Sequence, residues 1–194
     1  MTSQALLVMD LQNGVVDRFA EKMGPLLTTL ADTASAARGA GVPVVYVRVA
    51  FRVGSPDISR RNQTFSNLAR SGTMGEADEA TQIHAAVAPV PGDIVVTKRR
   101  VSAFAGSDLD VVLRSLDVDA LALTGIATSG VVLSTLRQAA DLDFGLTVLR
   151  DCCVDADDEV HRVLMDKVFP RQAVVESSAE WMARLERGTP DANA

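Results

Sequence analysis

Three segments of the chain carry groups suited to chemistry at a charged or polarised centre. Asp10 closes the apolar run Ala5 to Met9, in Val8-Met9-Asp10-Leu11-Gln12-Asn13, and Lys98 closes a second run, Ile94-Val95-Val96-Thr97-Lys98. A charge at the end of an otherwise apolar strand is costly unless it has a partner or a task. Lys98 is one of three lysines in a chain with sixteen arginines, so it is not part of a general lysine coat. A fold that converges these strand ends makes Asp10 and Lys98 a facing pair; otherwise they are two unrelated charges in solvent. The third segment, Gly125-Ile126-Ala127-Thr128-Ser129-Gly130-Val131, has the form of a catalytic strand-to-helix turn, with no nucleophile where one would be expected. Gly125 permits a tight turn, Thr128 or Ser129 can cap the helix that follows, and N–H groups at a helix start suit an anion or a developing oxyanion.

The strands and helices that carry these segments are legible as a pattern. Strand-like apolar runs at Ala5 to Met9, Val42 to Val49, Ile94 to Thr97, Ala120 to Thr124, Leu146 to Leu149 and Ala173 to Val175 predict six strands. Between them, apolar residues recur at helical spacing, as in Leu26, Leu30, Ala34 and Ala37, or Val132, Leu133, Leu136, Ala139 and Ala140. Gly39, Gly41 and Pro43 stop the first helix, and Pro170 closes one that starts near Ala156. Alternating strands and helices imply a doubly wound α/β domain, a parallel sheet with helices on both faces. In such sheets ligands bind beyond the carboxyl ends of the strands, where Asp10, Lys98 and the 125–131 turn all fall. From Ala50 to Glu76 the chain is polar and shows no period; Phe51 and Phe65 give this excursion something to dock with, and it reads as a lid, a subunit contact or a solvated loop.

Composition bounds the function class. The 194 residues, 47% apolar, suit a single domain over residues 1–187 with a frayed tail over 188–194. A net charge of −6 without a lysine-rich run argues against nucleic acid as a partner. Asp10 interrupts the first apolar run and no basic stretch precedes it, so neither a signal peptide nor a membrane span is expected and a cytoplasmic location is. Cys152 and Cys153 are adjacent and read as reduced thiols rather than a disulfide.

Taken together, the chain resembles the isochorismatase-like hydrolase superfamily, also called the cysteine hydrolase family, over about its whole length. The matching elements are Leu7 to Asn13; Val96-Thr97-Lys98 with Ser102-Ala103-Phe104 and Leu109; and Thr124 to Thr128 leading into Ser134-Thr135 and Ala139, with Asp151 to Asp155 and His161 beyond them. The resemblance implies a Rossmann-like six-stranded parallel sheet in the order 3-2-1-4-5-6. It also implies an oxyanion hole from the N–H groups of Ala127 and Val131 beside a cis bond between Ile126 and Ala127, and a homodimer or homotetramer. In the family's amidases a cysteine six residues beyond the motif glycine attacks the substrate; here that position is Val131. An isopropyl group cannot attack, so thiol-acyl chemistry cannot run there. Cys152 and Cys153 follow the fifth strand and have no strand-end base placed for them.

The metal-binding Asp and two His of nicotinamidases are replaced by Arg48-Val49-Ala50-Phe51-Arg52, and with only His84 and His161 in the chain no metal and no cofactor is expected. Isochorismatases offer a precedent for chemistry without the cysteine, the aspartate acting as general acid toward a vinyl ether. The leading expectation is therefore a cysteine-independent hydrolase using Asp10 and Lys98 on a small substrate with a vinyl ether or C–N bond. Arg48, Arg52, Arg60 and Arg61 favour a carboxylate on it, and Ala127, Thr128, Ser129, Gly130 and Phe104 are expected to contact it. The other expectation, motivated by Val131, is a catalytically silent relative that binds a small ligand or a partner.

Overall fold

The computed structural model describes residues 3–70 and 72–188. All six strands join one parallel sheet: β1 (Gln4–Met9), β2 (Val44–Val49), β3 (Ile94–Lys98), β4 (Ala120–Ile126), β5 (Gly145–Val154) and β6 (Val174–Glu176), in the order β3-β2-β1-β4-β5-β6. The strands were legible because parallel strands covered on both faces are continuous apolar runs. Alternate residues then sort to the two faces. Leu7, Met9, Val45, Val47 and Val96 pack with Leu109 and Leu113 of helix α4 (Leu109–Ser115), with Leu136 of α5 (Leu133–Asp141) and with Val132 just before it. Leu6, Val8, Val44 and Tyr46 pack with Leu26, Leu30 and Ala34 of α2 (Ala20–Gly39), which follows the one-turn α1 (Asn13–Val16), and with Trp181 of α7 (Ser178–Gly188). Each such side chain fully removed from water stabilises the fold by about 1.5–3 kcal/mol.

Two elements differ from the sequence expectation. β5 runs on to Val154 through Arg150-Asp151-Cys152-Cys153, whose polar residues read as a loop. The ladder between β4 and β5 shifts register between Leu123 and Gly125 and resumes at Gly125↔Cys153 and Ile126↔Val154, so a bulge carries the strand past its polar residues. The 50–76 excursion contains a helix, α3 (Gln63–Arg70), capped by Asn62, whose Oδ1 accepts from Phe65 N at 3.2 Å. With only Phe65 fully buried, eight residues are too few for a period to show. Phe51 and Phe65 do dock, edge to face with ring centroids 5.4 Å apart, in a small cluster with Val49 and Met74. Of the expected frayed tail, residues 189–194 lie outside the described residues, and Gly188 ends α7. Among the described residues no helix is long and apolar enough to cross a membrane.

Candidate active site

β1 lies between β2 and β4, with Met9 opposite Val47 on one side and Gly125 on the other, so Asp10 emerges at the centre of the sheet. Its N–H donates to Val47 O at 2.8 Å, and its backbone adopts a left-handed φ of 58°. Lys98 leaves β3 two strands away, roughly 9.6 Å by the spacing of parallel strands, a gap that suits the longest flexible side chain. Its Nζ donates to Asp10 Oδ2 at 2.8 Å and to Val101 O at 2.6 Å. Both side chains are buried, Asp10 with 7% of its surface exposed and Lys98 with 1%. Asp10 Oδ1 is buried too and has no hydrogen-bond partner among the described residues. Burial raises the Asp10 carboxyl pKa above its ordinary value, and the charge and hydrogen bond of Lys98 only partly offset it. The sequence left that contest open.

Gln12, which the sequence places in the motif without a task, holds this arrangement together. Fully buried, it donates from Nε2 to Val49 O at 2.8 Å and Thr81 O at 2.9 Å, and its Oε1 accepts from Val49 N at 2.8 Å. Val49 is the register partner of Lys98, so Gln12 links the segment after Asp10 to the strand beside the lysine. Arg99, also not anticipated, ties the 50–76 excursion to the end of β3. Its guanidinium bonds Ala50 O, Glu76 and Asp57, the last with Nε at 3.3 Å.

The bond between Ile126 and Ala127 is cis. Gly125 has φ +138°, and a Cβ there would overlap Met9 O, so close approach of β4 to β1 as well as the turn demands glycine. Beyond it Thr128–Val132 form a wide π-type turn that leads into α5. The caps come from elsewhere than expected. Thr128 is buried and its Oγ1 pairs with His161 Nδ1 at 2.8 Å, while the Ser129 N–H donates to Asp155 Oδ2 at 2.7 Å. Neither Thr128 nor Ser129 caps the turn with its own side chain. Ser129 is exposed, and Ala127 and Gly130 are half-buried. Val131 is 2% exposed in the cluster that holds Met9, Val96 and Phe104.

Phe104 is likewise a core residue, tilted against Phe144 with centroids 6.0 Å apart. Its segment is tied to α5 by Ser102 Oγ, which bonds Gln138 Oε1 at 2.7 Å, and by Ala103 N, which donates to Thr135 Oγ1 at 2.9 Å. Arg48 is not brought to the pair. Strand alternation puts it on the Tyr46 face of β2, away from Val47, and its guanidinium donates to Thr97 Oγ1, Glu76 O and Gln82 Oε1. Arg52, Arg60 and Arg61 are exposed, and Arg52 is paired with Asp57 at 3.2 Å. Burial pushes the Cys152 thiol up to about 12 and the Cys153 thiol well above its usual range, so both are poor nucleophiles.

Residues 4–180 match the family model described as Isochorismatase domain. The chain is 31% identical over 190 residues to the uncharacterized isochorismatase family protein YecD of Escherichia coli O157:H7, an alignment covering 93% of this chain and 95% of that one. It is 34% identical over 176 residues to the ureidoacrylate amidohydrolase RutB of Pseudomonas syringae pv. syringae (strain B728a), covering 80% and 72% respectively. A cysteine hydrolase from Pseudomonas syringae pv. phaseolicola 1448A superposes with a TM-score of 0.88 at 24% identity, over 95% of this chain and 93% of that chain.

Proposed function

The chain belongs to the isochorismatase family of hydrolases, and from that premise we propose that it hydrolyses a small, carboxylate-bearing substrate at a vinyl ether or C–N bond without a cysteine nucleophile. The observation that carries this reading is the asymmetry of the Asp10 carboxyl group: Oδ2 is pinned by Lys98, while Oδ1 is buried and has no partner among the described residues, which leaves its hydrogen-bonding capacity for a reacting atom. Protonated Asp10 gives the Oδ1 proton to the substrate, Lys98 holds the carboxylate that results, and the water that adds returns a proton to Oδ1. No covalent intermediate forms, in keeping with Val131. The N–H groups of Ala127 and Val131 hold the substrate's polar atom in this reading. RutB's name places C–N hydrolysis among the relatives, which supports ureido acids and amides as candidates beside vinyl ethers.

Product release from a panel of vinyl ethers, amides and ureido acids tests the reading, with Asp10→Asn as the control. Turnover is expected to fall by about a hundredfold or more in the variant. Because Asp10 acts as an acid with a raised pKa, kcat/KM is expected to fall as pH rises through that value. Lys98→Met removes the influence that lowers it, so the basic limb should move to higher pH. Undiminished turnover in Asp10→Asn would sink the mechanism. The closed packing of Val131 favours a second reading, a catalytically silent relative that keeps the pocket for binding a ligand or partner. That reading predicts saturable binding of a small carboxylate, or a stable partner complex, with no product from any panel member.

A further inference from the structure

The corner between β5 and α6 (Asp158–Val163) grips two successive residues of the 125–131 turn from the side away from β1. The first N–H groups of a helix have no intrahelical acceptor and need one from outside. Here the acceptor is not the usual local side chain but Asp155, twenty-six residues on, with 6% of its surface exposed and Oδ2 2.7 Å from Ser129 N. The bulge in β5 explains how it gets there. After the register shift, Cys153 and Val154 lie opposite Gly125 and Ile126, so the residue that follows β5 arrives beside the first residues of the turn. Lys22 Nζ donates to the Asp155 carbonyl oxygen at 3.0 Å, which anchors the corner on α2. The Thr128–His161 contact, 2.8 Å, adds a second attachment one residue earlier.

We propose that Asp155 is a positioning residue for the catalytic turn, its carboxylate a resident anion on the Ser129 amide that fixes Ala127–Val131 beside Asp10. The inference rests on the proposed hydrolytic reading for its catalytic consequence but not for its geometry. It also bears on the substrate. A carboxylate already stands at the start of the turn, so a second anion there is repelled, and the group presented to the Ala127 and Val131 amides is a neutral carbonyl or ether oxygen. The substrate's own carboxylate points away from the turn.

Amide hydrogen exchange and chemical shifts of Ser129, Gly130 and Val131 in the full chain, with Asp155→Ala and Asp155→Asn, test this directly. In Asp155→Ala, exchange at these amides is expected to rise tenfold or more while β1 and β4 stay protected. Sodium formate should restore protection where sodium chloride at equal ionic strength does not. Asp155→Asn keeps an acceptor, so protection should persist there while the Ser129 amide proton moves upfield as a charged acceptor becomes neutral. On a substrate found by the panel, kcat of the alanine variant should fall by about ten- to a hundredfold with KM less affected, and formate should recover it. Native-like exchange in Asp155→Ala, equal effects of formate and chloride, or an unmoved Ser129 proton in Asp155→Asn would each overturn the assignment, the last even if the alanine variant does not fold. Formate-dependent protection in a protein that turns over nothing would uphold the positioning role and sink the hydrolytic reading instead.

Discussion

Val131 stands at the position where the family's amidases carry their thiol, and the structure packs it into the core beside Met9 and Phe104. Neither Cys152 nor Cys153 can replace that thiol, because burial keeps both protonated at neutral pH. The remaining parts, the Asp10–Lys98 pair and the turn, are in place. Val131→Cys removes little volume, so it is expected to fold and to gain what the native chain lacks: alkylation by iodoacetamide at residue 131 and measurable hydrolysis of an amide or ureido acid. Mass spectrometry and product assay read both. A thiol inert to both would show that this scaffold no longer supports a nucleophile. The absence of the thiol was visible in the sequence. That Asp10 keeps one oxygen bonded and one bare was not, because it depends on where Lys98 and Val101 meet, 88 residues of chain away from Asp10.

At the scale of elements, the strand ends are held by contacts that local sequence does not announce. Gln12 satisfies Val49 N, Val49 O and Thr81 O across separations of 37 and 69 residues. Gln12→Leu leaves these three buried groups without partners, each at a cost of about 1–3 kcal/mol. With about 2–4 °C of Tm per kcal/mol for a chain of this size, calorimetry should show a fall of roughly 6 °C or more. A change within about 2 °C would mean that Gln12 does not bind β2 to the site. The strands and the long helices were legible because their burial repeats every second residue or every third and fourth. The second half of β5, α3 and the origin of the turn's cap were not: a bulge, a short helix and a cap supplied from the corner after β5 leave no period.

For the whole molecule, the sheet is closed on one face by α2 and α7 and on the other by α4 and α5, and the last helix is as much part of the core as the first strand. Trp181 of α7 is fully buried, donates from Nε1 to Gln4 Oε1 at 3.3 Å, and packs in the cluster with Leu6 and Val8 of β1. Asp151 of β5 receives the start of the same helix, accepting from Ser178 N and Oγ at 2.7 Å each. Trp181→Ala should therefore destabilise the entire domain by about 3–5 kcal/mol, seen as a single unfolding transition at lower Tm rather than a separate early one. An early partial transition would mark α7 as an appendage.

The sheet, its fold class, the strand-end charges and the missing nucleophile are legible in the chain before it folds, because apolar periodicity and residue identity are local properties that survive any arrangement of the chain. The folded arrangement was needed to show that Lys98 reaches Asp10 while Arg48 turns to the other face. It also decided that burial outweighs the lysine in raising the Asp10 pKa, and that Asp155 rather than Thr128 or Ser129 caps the turn. Those outcomes rest on through-space distance and on how much water is excluded, and both are set by segments that lie far apart along the chain.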